Sequence, residues 1–252
     1  MNAATRRSTL DLAAVFMAGT AIWWFLIPSI LDGDSSAATL IIVFVSLLVH
    51  VAWISPRLIH NDPRVRHGFG SIRSFGVRTD IARESFRFYT IATLGGTAAL
   101  LVWGWTSGPV GAGPVRWSSV AFKAVSYLPS AAVQVLIFFE FFLVRFDDVF
   151  KTRASAPAAA ALVFAGFHLP NMPLAVVTLI AGFVWAGEYQ RRPHFLPLVL
   201  SHTILGTVAT QLAHISNRSG PFVFYTGRYL IRDLIPWWGA FADQFLPRIL
   251  IK

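Results

Sequence analysis

The chain has 252 residues, of which 55% are hydrophobic and 13% are charged, and it contains no cysteine. Ordinary soluble domains carry about 25% charged residues, so this composition excludes them and indicates a membrane protein with several spans. The lack of cysteine excludes disulfide bonds and thiolate chemistry. A net charge of +9 would suit nucleic acid, but no basic-aromatic binding motif occurs, so we expect no nucleic-acid partner.

Hydropathy predicts an all-α, polytopic membrane bundle of about eight segments, in a single integral membrane domain. The segments are predicted at residues 10–31, 39–59, 88–106, 124–146, 157–170, 173–189, 196–215 and 234–251. The first is too long for a signal-peptide core, so we expect it to be retained. The last is interrupted by Asp243 and two prolines, and lying in the interface is the alternative to crossing.

The basic residues predict the orientation of the segments. With both termini in the cytoplasm, Arg6, Arg7 and the arginine-rich loop 60–87 fall on the same side, as the positive-inside rule requires. We expect this loop to contact anionic headgroups of the membrane lipids. The short loops suit a bacterial cytoplasmic membrane.

A single carboxylate, that of Glu140, interrupts the apolar segment 131–144, which reads AAVQVLIFFEFFLV. An ionised glutamate at this depth costs several kcal/mol unless a partner, a proton or water relieves it. Removal from water also makes a carboxylate a better proton acceptor, which suits a general base. Glu140 is therefore the first candidate for a catalytic residue.

Two histidines lie in other predicted segments, and ionisable residues at membrane depth are functional candidates. They are His168 in the fifth segment and His202 in the seventh. Because residues four apart share a helix face, we expect Phe164 to pack beside His168 and Gly206 to lie one turn beyond His202.

The remaining charges near these segments have simpler explanations. Arg145 lies about 140° round the helix from Glu140, so a direct pair with that carboxylate is unfavourable. We expect Arg145 to face Phe141 or to reach the cytoplasmic interface near Asp147 and Asp148. Glu188 and His194 flank a basic pair at a predicted turn, and we expect them to be solvated loop residues.

The depths of the three candidates differ if every segment is a complete span. Glu140 and His202 lie about 10 Å from the cytoplasmic ends of their helices, whereas His168 lies about 17 Å from its own. Residues 168–173 read HLPNMP, and prolines can break a helix where it lines a cavity. We therefore expect the fifth segment to end inside the membrane.

Three spaced pairs follow one another along the chain: Glu140-x4-Arg145, Phe164-x3-His168 and His202-x3-Gly206. Their order resembles that of the CAAX protease and bacteriocin-processing family of intramembrane proteases, whose motifs are EExxxR, FxxxH and HxxxN. The stretch LIAGFVWAGEYQRRPHFLPLVLSH, which leads into the third pair, is also similar to the apolar linker of that family. The resemblance covers residues 133–209.

The resemblance implies an intramembrane CAAX-type endopeptidase. In it Glu140 activates water for attack on a peptide carbonyl, and His168 and His202 hold this water and stabilise the developing charge. Arg145 has a structural or substrate-positioning role. The implied substrate is a peptide or protein, with or without a prenyl group. The chemistry is sound, because a buried carboxylate aided by imidazoles can activate water, which is otherwise a poor nucleophile.

The chain departs from the family pattern at two positions. Phe141 stands in place of the second glutamate, and Gly206 stands in place of the asparagine whose amide helps to stabilise the oxyanion. Losing one such donor lowers a rate by about 10²–10³, and Thr203, Thr207 or Asn171 is a candidate replacement.

The departures keep a second hypothesis open, in which a catalytically degenerate homologue binds a peptide, a lipid or a partner protein. A transporter is disfavoured because no inverted repeat is visible.

A zinc site is the alternative to metal-free hydrolysis. Two histidines and a glutamate are a legitimate zinc set, which would consist of Glu140, His168 and His202. No HExxH motif occurs, however, and the three residues come from three predicted helices. We therefore expect hydrolysis without a metal or other cofactor.

Overall fold

The computed structural model describes residues 3–27, 36–60, 81–107, 115, 117–150 and 152–216. Within these ranges the chain forms helices and their connections, with no strand. The prediction of an all-α, polytopic membrane bundle is confirmed. The predicted eighth segment, 234–251, lies outside the described residues.

Among the described residues, 5 helices are long and apolar enough to cross a membrane. They are α1 (Ala3–Leu26), α2 (Ala38–Ile59), α3 (Ala82–Ser107), α4 (Trp117–Val149) and α6 (Met172–Arg191). Two shorter apolar helices complete this part of the bundle, namely α5 (Ser155–Gly166) and α7 (Phe195–Gln211).

Several helices extend beyond the segments that hydropathy predicts. Helix α4 has 33 residues, and at 1.5 Å per residue it is about 50 Å long. Helix α3 begins at Ala82, six positions before the predicted start of its segment. Hydropathy detects only the apolar part of a helix. The helix itself continues through charged residues such as Lys123 and Arg83, because its backbone hydrogen bonds do not depend on the polarity of the side chains.

The outer faces of the bundle are apolar. The side chains of Phe25, Trp105 and Phe122 are 71%, 87% and 76% exposed. Soluble proteins rarely expose large apolar patches, whereas a lipid-facing surface favours such residues. The exposed faces therefore agree with a protein embedded in a bilayer.

The core lies where α4, α5, α6 and α7 meet. Phe139, Phe164 and Leu198 contribute rings and methyl groups from three of these helices, and none of them is exposed at all. Helices α5 and α6 approach closely at Gly182, where a Cβ atom would lie 3.1 Å from Phe164 Cδ1 and 3.3 Å from Ala161 Cα. Small residues at such contacts allow membrane helices to pack tightly.

Helix α5 is short, as the two prolines in HLPNMP predict. Its 12 residues span about 18 Å, less than the roughly 30 Å of a hydrocarbon core. A turn follows, and the side chain of Asn171 then caps the start of α6 by accepting a hydrogen bond from Leu174 N. If α5 starts at the cytoplasmic interface, the turn that contains His168 lies inside the bilayer, as the sequence predicts.

A buried carboxylate ties α1 to α2. Asp11, on α1, is 6% exposed and its two oxygens meet three partners from α2 and its C-terminal cap. The Ser55 hydroxyl donates to Oδ2, His60 Nε2 lies 3.1 Å from Oδ2, and His50 Nε2 lies 2.7 Å from Oδ1. Such a carboxylate is stable in the interior only because it is hydrogen-bonded.

The residue His60, just beyond α2, makes the stability of the bundle depend on pH. Burial lowers the pKa of His60 from 6.5 and nearby Arg145 lowers it further, while Asp11 and Asp148 act in the opposite direction. Below about pH 6.5 the unfolded chain therefore binds more protons at this residue than the folded chain, and the free energy of unfolding falls.

We expect the melting temperature in detergent to fall between about pH 7 and pH 5.5, and to fall less steeply in the variant His60→Gln, which cannot titrate. Equal slopes for the two proteins would contradict this assignment.

Candidate functional site

Glu140 lies within a π-helical stretch of α4, Leu136–Leu143. Such stretches are rare and are frequent at functional sites, because the wider turn moves side chains off the regular helical faces. The flanking Phe139 and Phe141 are 0% and 2% exposed, whereas Glu140 itself is partly exposed. The carboxylate thus has apolar neighbours along the chain and keeps some access to its surroundings.

The hydroxyl of Tyr189, on α6, donates a hydrogen bond to Glu140 Oε1. This bond relieves part of the penalty of placing a carboxylate at membrane depth, and it fixes the direction of that oxygen. Sequence reasoning missed Tyr189. The signal was available, since a phenol in an apolar segment is itself a polar group at membrane depth.

His168 lies in the turn after α5, and one hydrogen bond determines which of its two ring nitrogens carries the proton. Its Nδ1 atom is 2.7 Å from the backbone oxygen of Phe164. A carbonyl oxygen only accepts hydrogen bonds, so Nδ1 carries the proton and Nε2 of the neutral ring presents a lone pair. The Phe164 ring lies edge-on to the imidazole, with ring centroids 4.8 Å apart, as the four-residue spacing predicts.

His202, on α7, is 3% exposed and is enclosed by aromatic rings. The ring of Phe164 lies 5.5 Å from it between centroids, and the ring of Trp185 lies 5.1 Å from it. Phe164 therefore contacts both histidines, and the structure brings His168 and His202 together from α5 and α7.

Helix α6 relates the histidines to Glu140. Trp185 packs on His202, and Tyr189, four residues later on the same face, binds Glu140. Four residues of α-helix advance about 6 Å. One face of α6 thus contacts His202 through Trp185 and the Glu140 carboxylate through Tyr189.

The grouping of these side chains bears on the zinc alternative. In the described part of the chain, no three His, Cys, Asp or Glu side chains are grouped closely enough to hold a metal ion. Zinc needs its ligand atoms about 2.0–2.2 Å from the ion. As arranged here, Glu140, His168 and His202 do not fit that requirement, and metal-free hydrolysis stays a prediction.

Gly206 lies one turn beyond His202, and the ring of Tyr127 from α4 occupies the space beside it. A Cβ atom at position 206 would overlap Tyr127 Cε1 and lie 3.0 Å from Cζ. The Tyr127 hydroxyl lies 3.1 Å from His202 Nε2. An aromatic residue of another helix therefore fills the place where the family pattern has an asparagine side chain.

The three residues that the sequence offered as replacement donors are already engaged. The hydroxyls of Thr203 and Thr207 donate to the backbone oxygens of Val199 and Thr203, each at 2.8 Å. The Asn171 amide nitrogen donates to Ser216 O at 2.7 Å, and its oxygen caps α6. Asn171 is thus a structural residue of the α5–α6 turn.

Arg145 pairs with Asp148, one of the two aspartates towards which the sequence predicts it to extend, but its side chain is buried and not exposed. It is 2% exposed, and its Nη1 donates to Asp148 Oδ2 at 3.0 Å. The Ser8 hydroxyl of α1 donates to the same oxygen at 3.1 Å. Arg145 is buried because α1 packs over the end of α4 and Asp148 balances its charge.

Glu188 and His194 are also buried, at 3% and 1% exposure, so the expectation of solvated loop residues is wrong. Arg192 Nε lies 2.9 Å from Glu188 Oε1, and the His194 ring packs against Phe86, with centroids 5.6 Å apart. Phe86 belongs to the charged first turns of α3, which hydropathy left out of the predicted segment. These turns cover the connection between α6 and α7.

Comparison with known families places this site in context. Residues 116–208 match the family model described as Type II CAAX prenyl endopeptidase Rce1-like, and this range includes Glu140, His168 and His202. Comparisons with curated proteins and with solved structures gave no match. The resemblance to the CAAX protease and bacteriocin-processing family is thereby confirmed, and residues 116–208 of this integral membrane protein are similar to the Rce1-like type II CAAX prenyl endopeptidases.

Proposed function

We propose that this protein is a CAAX-type intramembrane endopeptidase whose hydrolytic site consists of Glu140, His168 and His202. The observation that carries the proposal is the packing of both histidines on Phe164. Helix α6 contacts one of them, His202, through Trp185 and contacts the Glu140 carboxylate through Tyr189. The match of residues 116–208 to a family model of endopeptidases supports the same reaction class.

In the proposed reaction, Glu140 accepts a proton from a water molecule while the water oxygen attacks the peptide carbonyl carbon. The lone pair on His168 Nε2 accepts a hydrogen bond from this water and orients it. His202 supports the charge that develops on the carbonyl oxygen. When the C–N bond breaks, the proton returns from Glu140 to the leaving amine nitrogen, so that the carboxylate is regenerated.

The proposed substrate is a peptide or protein that reaches the site from the membrane, with a prenylated C-terminal segment as the class that the family name suggests. Many large apolar side chains face outwards, and a lipid-anchored chain would approach along such a surface. We further propose a bacterial cytoplasmic membrane, with both termini in the cytoplasm, because the basic residues then satisfy the positive-inside rule.

The second candidate function is a non-catalytic one, in which the protein binds a peptide, a lipid or a partner protein. One observation favours it: Phe141, which stands in place of the second glutamate, is 2% exposed and packs edge-on against Phe142. A carboxylate of the family pattern is here replaced by part of the apolar core.

Replacing Glu140 distinguishes these functions. We expect the variant Glu140→Gln to lower the rate of cleavage by about 10²–10⁴, because it removes the base and keeps the shape of the side chain. The assay uses the purified full chain in liposomes and a quenched peptide that ends in a farnesylated CAAX sequence, with the unprenylated peptide for comparison. Glu84→Gln, an exposed glutamate at the start of α3, is the matched control.

Equal activity of the wild type and Glu140→Gln would exclude Glu140 as the base. Binding of the peptide without cleavage by either protein would favour the non-catalytic function. Treatment with a chelator separates the two mechanisms, since metal-free hydrolysis persists and zinc-dependent hydrolysis does not.

The variant Tyr189→Phe tests the partner of the proposed base. Loss of its hydrogen bond leaves Glu140 less well oriented, so we expect kcat to fall by about tenfold, or about 1.4 kcal/mol, with little change in KM. Tyr89→Phe is a matched control, because the Tyr89 hydroxyl is buried and forms no hydrogen bond in the described part of the chain. A kcat that falls equally in both variants would argue against a specific role for Tyr189.

A further inference from the structure

We infer that the hydroxyl of Tyr127 is the hydrogen-bond donor that stabilises the oxyanion in this protein, in place of the missing asparagine amide. The inference rests on the proposed function, because an oxyanion forms only when a peptide carbonyl is attacked. It adds a catalytic residue from α4 that none of the three sequence motifs includes.

The first support is the use of space beside Gly206. Only a residue without a side chain leaves room for the Tyr127 ring, since a Cβ atom would overlap Cε1 and lie 3.2 Å from Cδ1. A rigid ring cannot move aside as a flexible chain end can. The Tyr127 ring can occupy this position only because residue 206 is glycine. The ring fills the volume that an asparagine side chain at position 206 would need.

The second support is the position of the hydroxyl relative to His202. It lies 3.1 Å from Nε2, and the two rings meet edge-on with centroids 5.6 Å apart. His202 is a residue of the proposed site, so a polar atom bonded to it is close to the place where charge would develop. The neighbouring hydroxyls of Thr203 and Thr207 donate to the α7 backbone instead.

The third support is the hydrogen-bonding pattern of the imidazole. His202 Nδ1 is buried and has no hydrogen-bond partner in the described part of the chain. If the ring proton is on Nε2, His202 donates to the phenol oxygen, and the Tyr127 O–H is free to donate to a third group. His202 then supports the charge on the carbonyl oxygen through Tyr127 and not by a direct hydrogen bond. Donation from the imidazole polarises that O–H and strengthens the bond it makes.

The part that Tyr127 plays in the reaction is limited to hydrogen bonding. In the reaction the hydroxyl would donate one hydrogen bond to the oxyanion and keep its proton, so that no bond of Tyr127 forms or breaks.

The variant Tyr127→Phe tests the inference, because it keeps the ring beside Gly206 and removes only the donor. We expect kcat to fall by about 10² with KM almost unchanged, since an oxyanion-hole donor acts on the transition state more than on the bound substrate. The melting temperature in detergent should stay at the wild-type value. Ser126→Ala is the control, as it removes a hydroxyl of the same helix that donates to the backbone oxygen of Lys123.

A second pair of variants tests whether a donor at position 206 can replace the donor at position 127. Tyr127→Ala opens the space beside Gly206, and the double variant Tyr127→Ala/Gly206→Asn places an amide there. We expect the double variant to cleave the farnesylated peptide at least about tenfold faster than Tyr127→Ala, because a donor is restored.

The outcomes separate this inference from the function on which it rests. Wild-type kcat in Tyr127→Phe, with Glu140→Gln inactive, overturns the role of Tyr127 and leaves the peptidase intact. A loss of activity that comes with a lower melting temperature and is not recovered in the double variant also overturns it, since the ring is then only structural. Absence of cleavage by the wild type overturns the proposed function and the inference together.

Discussion

The ring of Phe164 is the contact on which the geometry of the candidate site depends. It has no exposed surface, and its centroid lies 4.8 Å from that of His168, 5.5 Å from that of His202 and 5.0 Å from that of Phe138. A close-packed ring fixes its neighbours, because protein interiors leave few voids into which they could move. Phe164 thereby sets the separation of the two imidazoles and their position relative to α4, which carries the glutamate.

Polar groups at membrane depth impose the second constraint, because each needs a partner and in this bundle the partner comes from another helix. Glu140 of α4 accepts from Tyr189 of α6, and Asp11 of α1 accepts from Ser55 of α2. Hydrogen bonds between membrane helices add stability, and they also fix the register of one helix against another. The same bonds that make burial tolerable therefore align the helices around the site.

The two departures from the family pattern have different physical consequences. Phe141 is part of the aromatic core, where it packs against Phe142. Gly206 is different, because the absent side chain makes room for Tyr127, whose hydroxyl reaches His202. The side-chain amide that α7 lacks at position 206 is thus replaced by a hydroxyl from α4. Comparing the motif on α7 alone does not detect this replacement.

Composition and hydropathy alone determined the membrane class, the all-α fold and most of the helices, because these depend on local properties of the chain. The two prolines after His168 also determined that α5 ends early. Motif spacing singled out Glu140, His168 and His202, since their rarity in apolar segments is visible in one dimension.

Only the tertiary structure decided which residues meet across helices. It gave Glu140 its partner Tyr189 and placed Tyr127 beside Gly206. The tertiary structure also shows that three charged or titratable residues predicted to contact water or headgroups are buried, namely Arg145, Glu188 and His194. The reason is physical: the helical period fixes which residues share a face of one helix, but the opposite face comes from residues far away in the chain. Those long-range contacts, and not local preference, decide which charges are covered and which hydroxyl reaches the site.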